Sequence, residues 1–354
     1  MSTAARLLRP DLRGFVAYES AKPERGVVRL HANEASWRAD WDETRDGLNR
    51  YPEPRPPRLI ERLAGLYGVG PAQVLATRGS DDAIDLLARA FCRAGRDAIL
   101  VCPPTFGMYA VSARIQGAGV VEVPLDSRFR VDGEAVIAAC SPKVRLVFLC
   151  SPNNPTGGVV PARTVAKLCT ALEGRALVVV DEAYQEFSRY PGFAGALGRF
   201  SNLVVLRTLS KAHGLAGARC GALLADPEIV GMLRPLLPPY PLSSLTVEAA
   251  LRRLAPRELA AARRRTAATI ERREALERAL KALPAVTRTW PGEGNFVLAR
   301  FRDARAAMAA CEAAGVLVRD FSARPRLEGC LRITVGTAAE NRRLIAALKT
   351  LPER

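Results

Sequence analysis

Only six of the 52 basic residues are lysines, the other 46 being arginines, and one of the six stands out by its position. Lys211 follows the apolar run NLVVL (202–206) within the segment TLSKAHGLAGAR (208–219). Lysines are among the residues least often buried, so one closing an apolar strand is unusual. A lysine at a strand edge, reaching solvent, would need no further account. The chemical reading is a Schiff-base lysine, whose amine must be uncharged to attack a carbonyl. Ser210 beside it and Arg219 eight residues on add hydroxyl and guanidinium donors suited to a phosphate.

Two upstream segments strengthen that reading. DEAY (181–184) follows the run ALVVV, which places Asp181 at the carboxyl end of a sheet strand. Open α/β sheets bind ligands there. A carboxylate in that place suits a protonated ring nitrogen, which it would hold as part of an electron sink. Tyr184, three residues on, reaches back towards a phenolic oxygen. SPNNPTG (151–157) also follows a strand, so Asn154 joins the same crown. Singly, each segment is also good capping or turn chemistry. Their joint occurrence in this order, each at a strand end, is not.

The elements that must carry these groups are short runs of Val, Leu and Ile at 98–102, 120–124, 144–150, 176–180, 202–206 and 220–225. Such continuous runs predict strands covered on both faces. Helical patterns lie between them, over 80–93, where Ile84, Leu87, Ala88 and Phe91 share a stripe, and over 161–173, opened by a proline. The alternation predicts an α/β domain with a mostly parallel sheet between helix layers. After the Pro-rich stretch 233–244 the pattern changes. A long helix is expected with Arg263–Arg265, Arg272, Arg273, Glu274, Glu277 and Arg278 on a solvated face, including Arg273–Glu277 and Glu274–Arg278 pairs. Strand patterns at 295–301, 315–320 and 330–336 then alternate with helices over 303–314 and from about 338. The expected division is a large domain over 26–245 and a smaller α+β domain built from 1–25 and 246–354.

Composition closes other routes. The chain has 354 residues, a net charge of +16 and 49% hydrophobic residues, which is globular rather than disordered. The excess of arginine over lysine reads as a compositional bias more than as a nucleic-acid surface, so no nucleic-acid partner is expected. No apolar run reaches the length needed to span a bilayer, and no secretory signal is expected at the N-terminus. The eight cysteines form no CxxC pair and lie in apolar surroundings, which fits a reduced, cytoplasmic protein. The two histidines, His31 and His213, are far apart, and no metal site is expected.

With these residues in place the sequence resembles the fold-type-I pyridoxal-phosphate aminotransferases, through SPNNPTG, DEAY and the Ser210-Lys211…Arg219 segment. Narrower markers point to the histidinol-phosphate branch. They are HANE (31–34), NRYPEP (49–54), RGSDD (78–82), CPPTFGMY (102–109), PYPLS (239–243) and LRITVGT (331–337). The resemblance spans nearly the whole chain. It implies pyridoxal 5'-phosphate as cofactor, glutamate and 2-oxoglutarate as one substrate pair, and histidinol phosphate with its keto counterpart as the other. Aromatic or broad-specificity aminotransferases and threonine-phosphate decarboxylases are the alternatives within the family.

The roles it implies are these. Lys211 binds the cofactor and shuttles the proton, Asp181 holds the ring nitrogen, and Tyr184 and Asn154 hydrogen-bond the ring oxygen. Phe106 stacks on the ring. The cofactor phosphate sits at the helix start opened by Ser80 and Asp81, where free amides and the dipole favour an anion. Ser210 and Arg219 complete that cup, and Tyr51 enters it from the second subunit of a homodimer. Arg332, with Arg319, binds the substrate carboxylate or phosphate, and Tyr18 and Asn33 line the pocket. The chain departs from the family pattern at ANEASW, at Asp82-Ala83 and at His213, where phenylalanine is common. His213 is expected to pack behind the lysine rather than to act on substrate.

Overall fold

The computed structural model describes residues 3–18 and 27–352. Seven strands form the main sheet: β1 (Val74–Thr77), β2 (Ala98–Val101), β3 (Gly119–Glu122), β4 (Val144–Cys150), β5 (Leu177–Asp181), β6 (Leu203–Thr208) and β7 (Gly221–Ala225). Their order is β1-β7-β6-β5-β4-β2-β3. The run from β6 to β3 is parallel, and β7 is antiparallel to both its neighbours.

The Val/Leu/Ile runs become strands because both sheet faces are covered. Alternate residues of one strand enter opposite cores. Val178 and Val180 pack with Val147, Leu149 and Val205 on one side. Leu177 and Val179 pack with Leu146, Phe148 and Val204 on the other. Parallel pairing also levels the strand ends, with Cys150 opposite Asp181 and Asp181 opposite Leu206. The residues that follow β4, β5 and β6 therefore share one edge of the sheet.

The second sheet is antiparallel, in the order β10-β11-β9-β8, from β8 (Val286–Trp290), β9 (Phe296–Phe301), β10 (Arg319–Asp320) and β11 (Cys330–Thr334). It packs through Val297, Ala299, Leu331 and Ile333 against Leu276 and Leu280 of the long helix Pro256–Lys281 and Leu344 of the helix Ala338–Leu348. The α/β architecture with a smaller antiparallel part is thus as expected.

Several details differ from expectation. β1, β8 and the helix Pro57–Tyr67 are additional elements; β8 carries polar residues on a half-exposed edge, so it lacks an apolar run. Only Arg319–Asp320 of the stretch 315–320 joins a ladder. Leu7 and Leu8 lie in the core with Leu75, Ala83 and Ile229, so this part of the N-terminal segment packs on the large sheet's helices rather than on the small sheet. Arg273 does not face solvent. It is 2% exposed, and its Nη1 donates to the carbonyls of Gly294 (2.8 Å) and Phe187 (3.2 Å). Glu293 at 3.7 Å, not Glu277, is its ion-pair partner. Spacing alone placed it outside; two backbone carbonyls with no helical donor draw it in.

One close approach fixes the edge where the chemistry is expected. Gly221 pairs with Thr77 and Thr208, and a Cβ there would stand 2.8 Å from both the Gly79 carbonyl carbon and the Arg207 carbonyl oxygen. Neither backbone can retreat without parting β7 from its neighbours. Gly221→Ala is expected to cost about 1–3 kcal/mol of stability by overpacking, measured by denaturant unfolding; an unchanged midpoint would show that the sheet yields freely here.

Candidate active site

β5 ends in Asp181, whose side chain the fold removes from water: the residue is 2% exposed. Its Oδ1 accepts from the Ala183 amide at 3.1 Å and its Oδ2 from the Tyr109 hydroxyl at 2.7 Å. Burial dominates these bonds and pushes the carboxyl up to about 6. Tyr184, three residues on, is buried edge-on against Phe296, with ring centroids 5.1 Å apart. Burial raises its phenol, while Arg332 opposes the shift.

Lys211 lies three residues past the end of β6, on a turn closed by the Gly214 amide donating to its carbonyl at 3.1 Å. The strand does not end in the lysine; its exposed side chain projects from the turn, with Nζ 5.7 Å from the Tyr184 ring centroid. Desolvation, then the cations of Arg332 and Arg219, lower its pKa, against the pull of Asp81 and Asp181. A lowered ammonium pKa is what a nucleophilic amine requires.

An anion cup adjoins the lysine. The helix Ser80–Phe91 opens at Gly79, whose φ of 79° and missing Cβ leave room for the Arg219 guanidinium, 2.9 Å from where a Cβ would stand. Arg219 donates to Ser210 Oγ at 3.4 Å and Asp81 Oδ2 at 3.4 Å. Thr208 Oγ1 donates to Ser210 Oγ at 2.9 Å. The helix start, Ser210 and Arg219 thus meet as the sequence predicts, with the helix's free amides turned to the same place.

Two loops from neighbouring strands are tied together at the crown. Asn153 Nδ2 donates to the Pro104 carbonyl at 2.9 Å and Thr105 Oγ1 donates to Asn153 Oδ1 at 2.8 Å, which fixes the loop carrying Phe106. Phe106 is half-buried and edge-on to Tyr109 at 5.6 Å. Asn154 is buried, and its Oδ1 accepts from Arg332 Nη1 at 2.6 Å.

That bond joins the two sheets. Arg332 on β11 stands directly opposite Arg319 on β10, and neither makes an ion pair among the described residues. Like charges facing across a ladder are destabilising unless an anion joins them. Burial and Arg319 both lower the pKa of Arg332. The large-domain loop also meets the small part backbone to backbone. A Cβ on Gly157, whose φ is 78°, would stand 2.6 Å from Gly292 Cα.

The remaining predicted residues lie apart from this cluster in the single chain. Tyr51 is 50% exposed and stacks on Tyr240 with centroids 4.5 Å apart. Tyr18 is 78% exposed, and Asn33 is exposed with a φ of 54°. His213 is buried behind the lysine turn, its Nε2 3.7 Å from Glu186 Oε1, beside the Arg207–Glu182 pair. Tyr109 closes the CPPTFGMY motif, yet no sequence signal ties it to Asp181, 72 residues away.

Sheet order and crown together define a class: an α/β protein that gathers a lysine, a buried carboxylate and an anion cup at the carboxyl edge of its main sheet. Residues 27–348 match the family model for aminotransferase class I and II, and the chain belongs to that family. More narrowly, it is 50% identical to the histidinol-phosphate aminotransferase of Stenotrophomonas maltophilia over 97% of this chain and 95% of that protein. Among solved structures, the histidinol-phosphate aminotransferase of Sinorhizobium meliloti in complex with pyridoxal-5'-phosphate aligns with a TM-score of 0.78 at 28% identity, over 85% of this chain and 82% of that one. L-threonine-O-3-phosphate decarboxylase of Porphyromonas gingivalis aligns at 0.74 and 25% identity, over 86% and 90%.

The elevated Asp181 carboxyl has a consequence for stability. Raised from an ordinary 3.8 to about 6, it favours the folded state while protonated, and that advantage is lost as pH rises through 6. In the cofactor-free protein at pH 7.5, Asp181→Asn is expected to be more stable than the parent by up to about 3 kcal/mol, a gain that shrinks towards pH 4. Denaturant unfolding at the two pH values checks this; equal stabilities throughout would contradict it.

Proposed function

We propose that the chain is a pyridoxal-phosphate-dependent transaminase of histidine biosynthesis. It passes the amino group of L-glutamate to imidazole-acetol phosphate, giving L-histidinol phosphate and 2-oxoglutarate, in two alternating half-reactions. The observation that carries this reading is that Lys211 and buried Asp181 share the carboxyl edge of the main sheet, to which the Arg319–Arg332 doublet of the second sheet is tied by the hydrogen bond from Arg332 to Asn154.

The residues present suit the cofactor. Asp181 is a buried carboxylate whose two oxygens each accept one hydrogen bond and can accept another from a cationic ring nitrogen, and the cup of Ser80, Asp81, Ser210 and Arg219 offers amide, hydroxyl and guanidinium donors to a phosphate. When bound, the cofactor supplies an electrophilic carbonyl and a ring that draws electrons from the substrate's α-carbon.

The chain's own groups do the rest. Asp181 keeps the ring nitrogen protonated, which its own ionised form requires. Tyr184 and Asn154 would hydrogen-bond the ring oxygen, and Phe106 would cover one ring face. Lys211 Nζ, with its lowered pKa, would hold the cofactor and serve as the base and acid that moves the substrate's α-proton. Arg332 orients the α-carboxylate of glutamate through a planar fork, and with Arg319 it takes the phosphate of the other substrate. Two facing guanidinium groups without a carboxylate partner accept either anion, so one pocket serves both half-reactions. Tyr18 and Asn33, exposed in the single chain, would line its entrance in the assembled site.

The site is completed by a second copy of the chain. Tyr51 is half exposed in a stretch that also exposes Val28, Leu30, Trp37 and Trp41, an apolar surface of the kind that a subunit interface covers. Tyr51 from the partner reaches the phosphate cup. The cytoplasm fits eight cysteines that are all free and buried, and no described helix is long and apolar enough to cross a membrane.

Lys211→Ala is expected to lower kcat by at least about a thousandfold, the general acid–base contribution together with loss of the covalent link, while cofactor still binds through the cup. Transamination at the parental rate would refute the role of Lys211. Single-turnover half-reactions with histidinol phosphate, phenylalanine and threonine phosphate test the substrate. Histidinol phosphate is expected to convert the cofactor with the highest efficiency and without release of carbon dioxide. Equal efficiency with phenylalanine would make the chain a broad aromatic enzyme, and carbon dioxide from threonine phosphate would make it a decarboxylase.

A further inference from the structure

Tyr109 has no role in the scheme above, yet it is among the most enclosed side chains in the chain, at 0% exposure. It lies in the first turn of the helix Met108–Ile115, beneath the loop that carries Phe106. Its ring is stacked on Phe148 of β4 with centroids 4.8 Å apart and planes 10° from parallel. Phe106 closes over it edge-on. This clamp leaves the ring little freedom and aims its hydroxyl at Asp181 Oδ2, 2.7 Å away. No other side chain among the described residues hydrogen-bonds that carboxylate; the only further donor is the Ala183 amide on Oδ1.

We propose that Tyr109 is the positioning residue for Asp181, holding the carboxylate in its ionised form and in the plane from which it meets the cofactor's ring nitrogen. The inference rests on the assignment of Asp181 to that nitrogen. Each carboxylate oxygen accepts more than one hydrogen bond, so the Tyr109 bond leaves Asp181 able to receive a second donor. Burial keeps the Tyr109 phenol neutral, hence always a donor. A fixed donor selects one rotamer of Asp181 before the cofactor arrives, and so removes an ordering cost from binding.

Other groups face Asp181 from the surrounding elements. Cys150 lies beside it on β4, Tyr184 follows β5, Asp81 disfavours its charge from the helix Ser80–Phe91, and Lys211 favours it from beyond β6. Of these, only Lys211 supports the ionised form, and it is consumed as a cation when it becomes an uncharged nucleophile. Tyr109 and the Ala183 amide are the supports that persist, and the Tyr109 hydroxyl is the larger of the two. Without its hydroxyl the Asp181 carboxyl rises further above 6, so the pH below which cofactor affinity falls away moves upward.

The test uses the full-length protein stripped of cofactor and titrated with pyridoxal 5'-phosphate, in four forms: parent, Tyr109→Phe, Asp181→Asn and the double variant. Phenylalanine keeps the stack on Phe148 and removes only the hydroxyl. Tyr109→Phe is expected to raise the cofactor Kd roughly ten- to hundredfold at pH 7.5, the worth of a hydrogen bond to a charged group. The effect should vanish, to within about twofold, in the Asp181→Asn background. With ring-15N-labelled cofactor, the nitrogen resonance of Tyr109→Phe should move towards its unprotonated position. A Kd unchanged in Tyr109→Phe, or one that rises equally in both backgrounds, would overturn the proposal. Should Asp181→Asn itself bind cofactor as the parent does, the assignment of Asp181 falls, and the proposal with it. Should Asp181→Asn weaken binding while Tyr109→Phe does not, only the role of Tyr109 falls.

Discussion

Burying the Asp181 carboxyl at the end of β5 carries a free-energy cost that its two hydrogen bonds reduce but do not cancel, because desolvation outweighs them and lifts its pKa to about 6. Much of the surrounding architecture bears on that cost. Parallel pairing sets Asp181 level with Cys150 and Leu206, in an apolar stratum that water does not reach. The same levelling brings the loops after β4, β5 and β6 to one edge, and the groups that offset the charge are Tyr109 on the helix that follows β2, the Ala183 amide after β5 and Lys211 after β6. A cation bound there is held more strongly than at a surface, since the low-dielectric wall leaves its field unscreened. The instability of the empty site and its affinity when filled have one origin.

A second uncompensated arrangement lies on the antiparallel sheet. Arg332 and Arg319 face each other on neighbouring strands, and the hydrogen bond from Arg332 to Asn154 joins this cationic pair to the crown. One sheet edge thus carries a carboxylate short of a cation, and the other sheet carries cations short of an anion. A zwitterionic ligand between them relieves both. The glycine-to-glycine approach of 157 and 292 lets the two backbones come close enough for that.

Much of this was legible in the sequence, for a physical reason. A charged residue directly after a run of Val, Leu and Ile sits at a strand end, so Asp181 could be placed without coordinates; Asn154 and Lys211 follow their runs closely enough to be assigned to the same edge, although Lys211 stands on a turn three residues past β6. The sheet, its parallel character and the separate C-terminal part followed from the same runs. Tyr109 was not legible as a partner of Asp181, because the contact depends on how a helix turn stacks on Phe148, which no local pattern encodes. Arg273 was misplaced because helical spacing records which face a residue occupies but not that two distant carbonyls need a donor. Leu7 and Leu8 gave no sign of which core they enter. The single chain leaves Tyr18, Asn33 and Tyr51 outside the cluster, as residues whose place depends on a partner or a ligand would be.

In the proposed function one lysine among six, Lys211, holds the cofactor at the edge defined by Asp181 and the anion cup. Borohydride reduction of the cofactor-loaded protein, followed by proteolysis and mass spectrometry, tests it most directly, since reduction makes the link between lysine and cofactor permanent. The account predicts loss of the visible absorption band and a pyridoxyl group on the peptide containing Lys211 alone. A pyridoxyl group on any of the other five lysines in its place, or no labelled peptide at all, would contradict it.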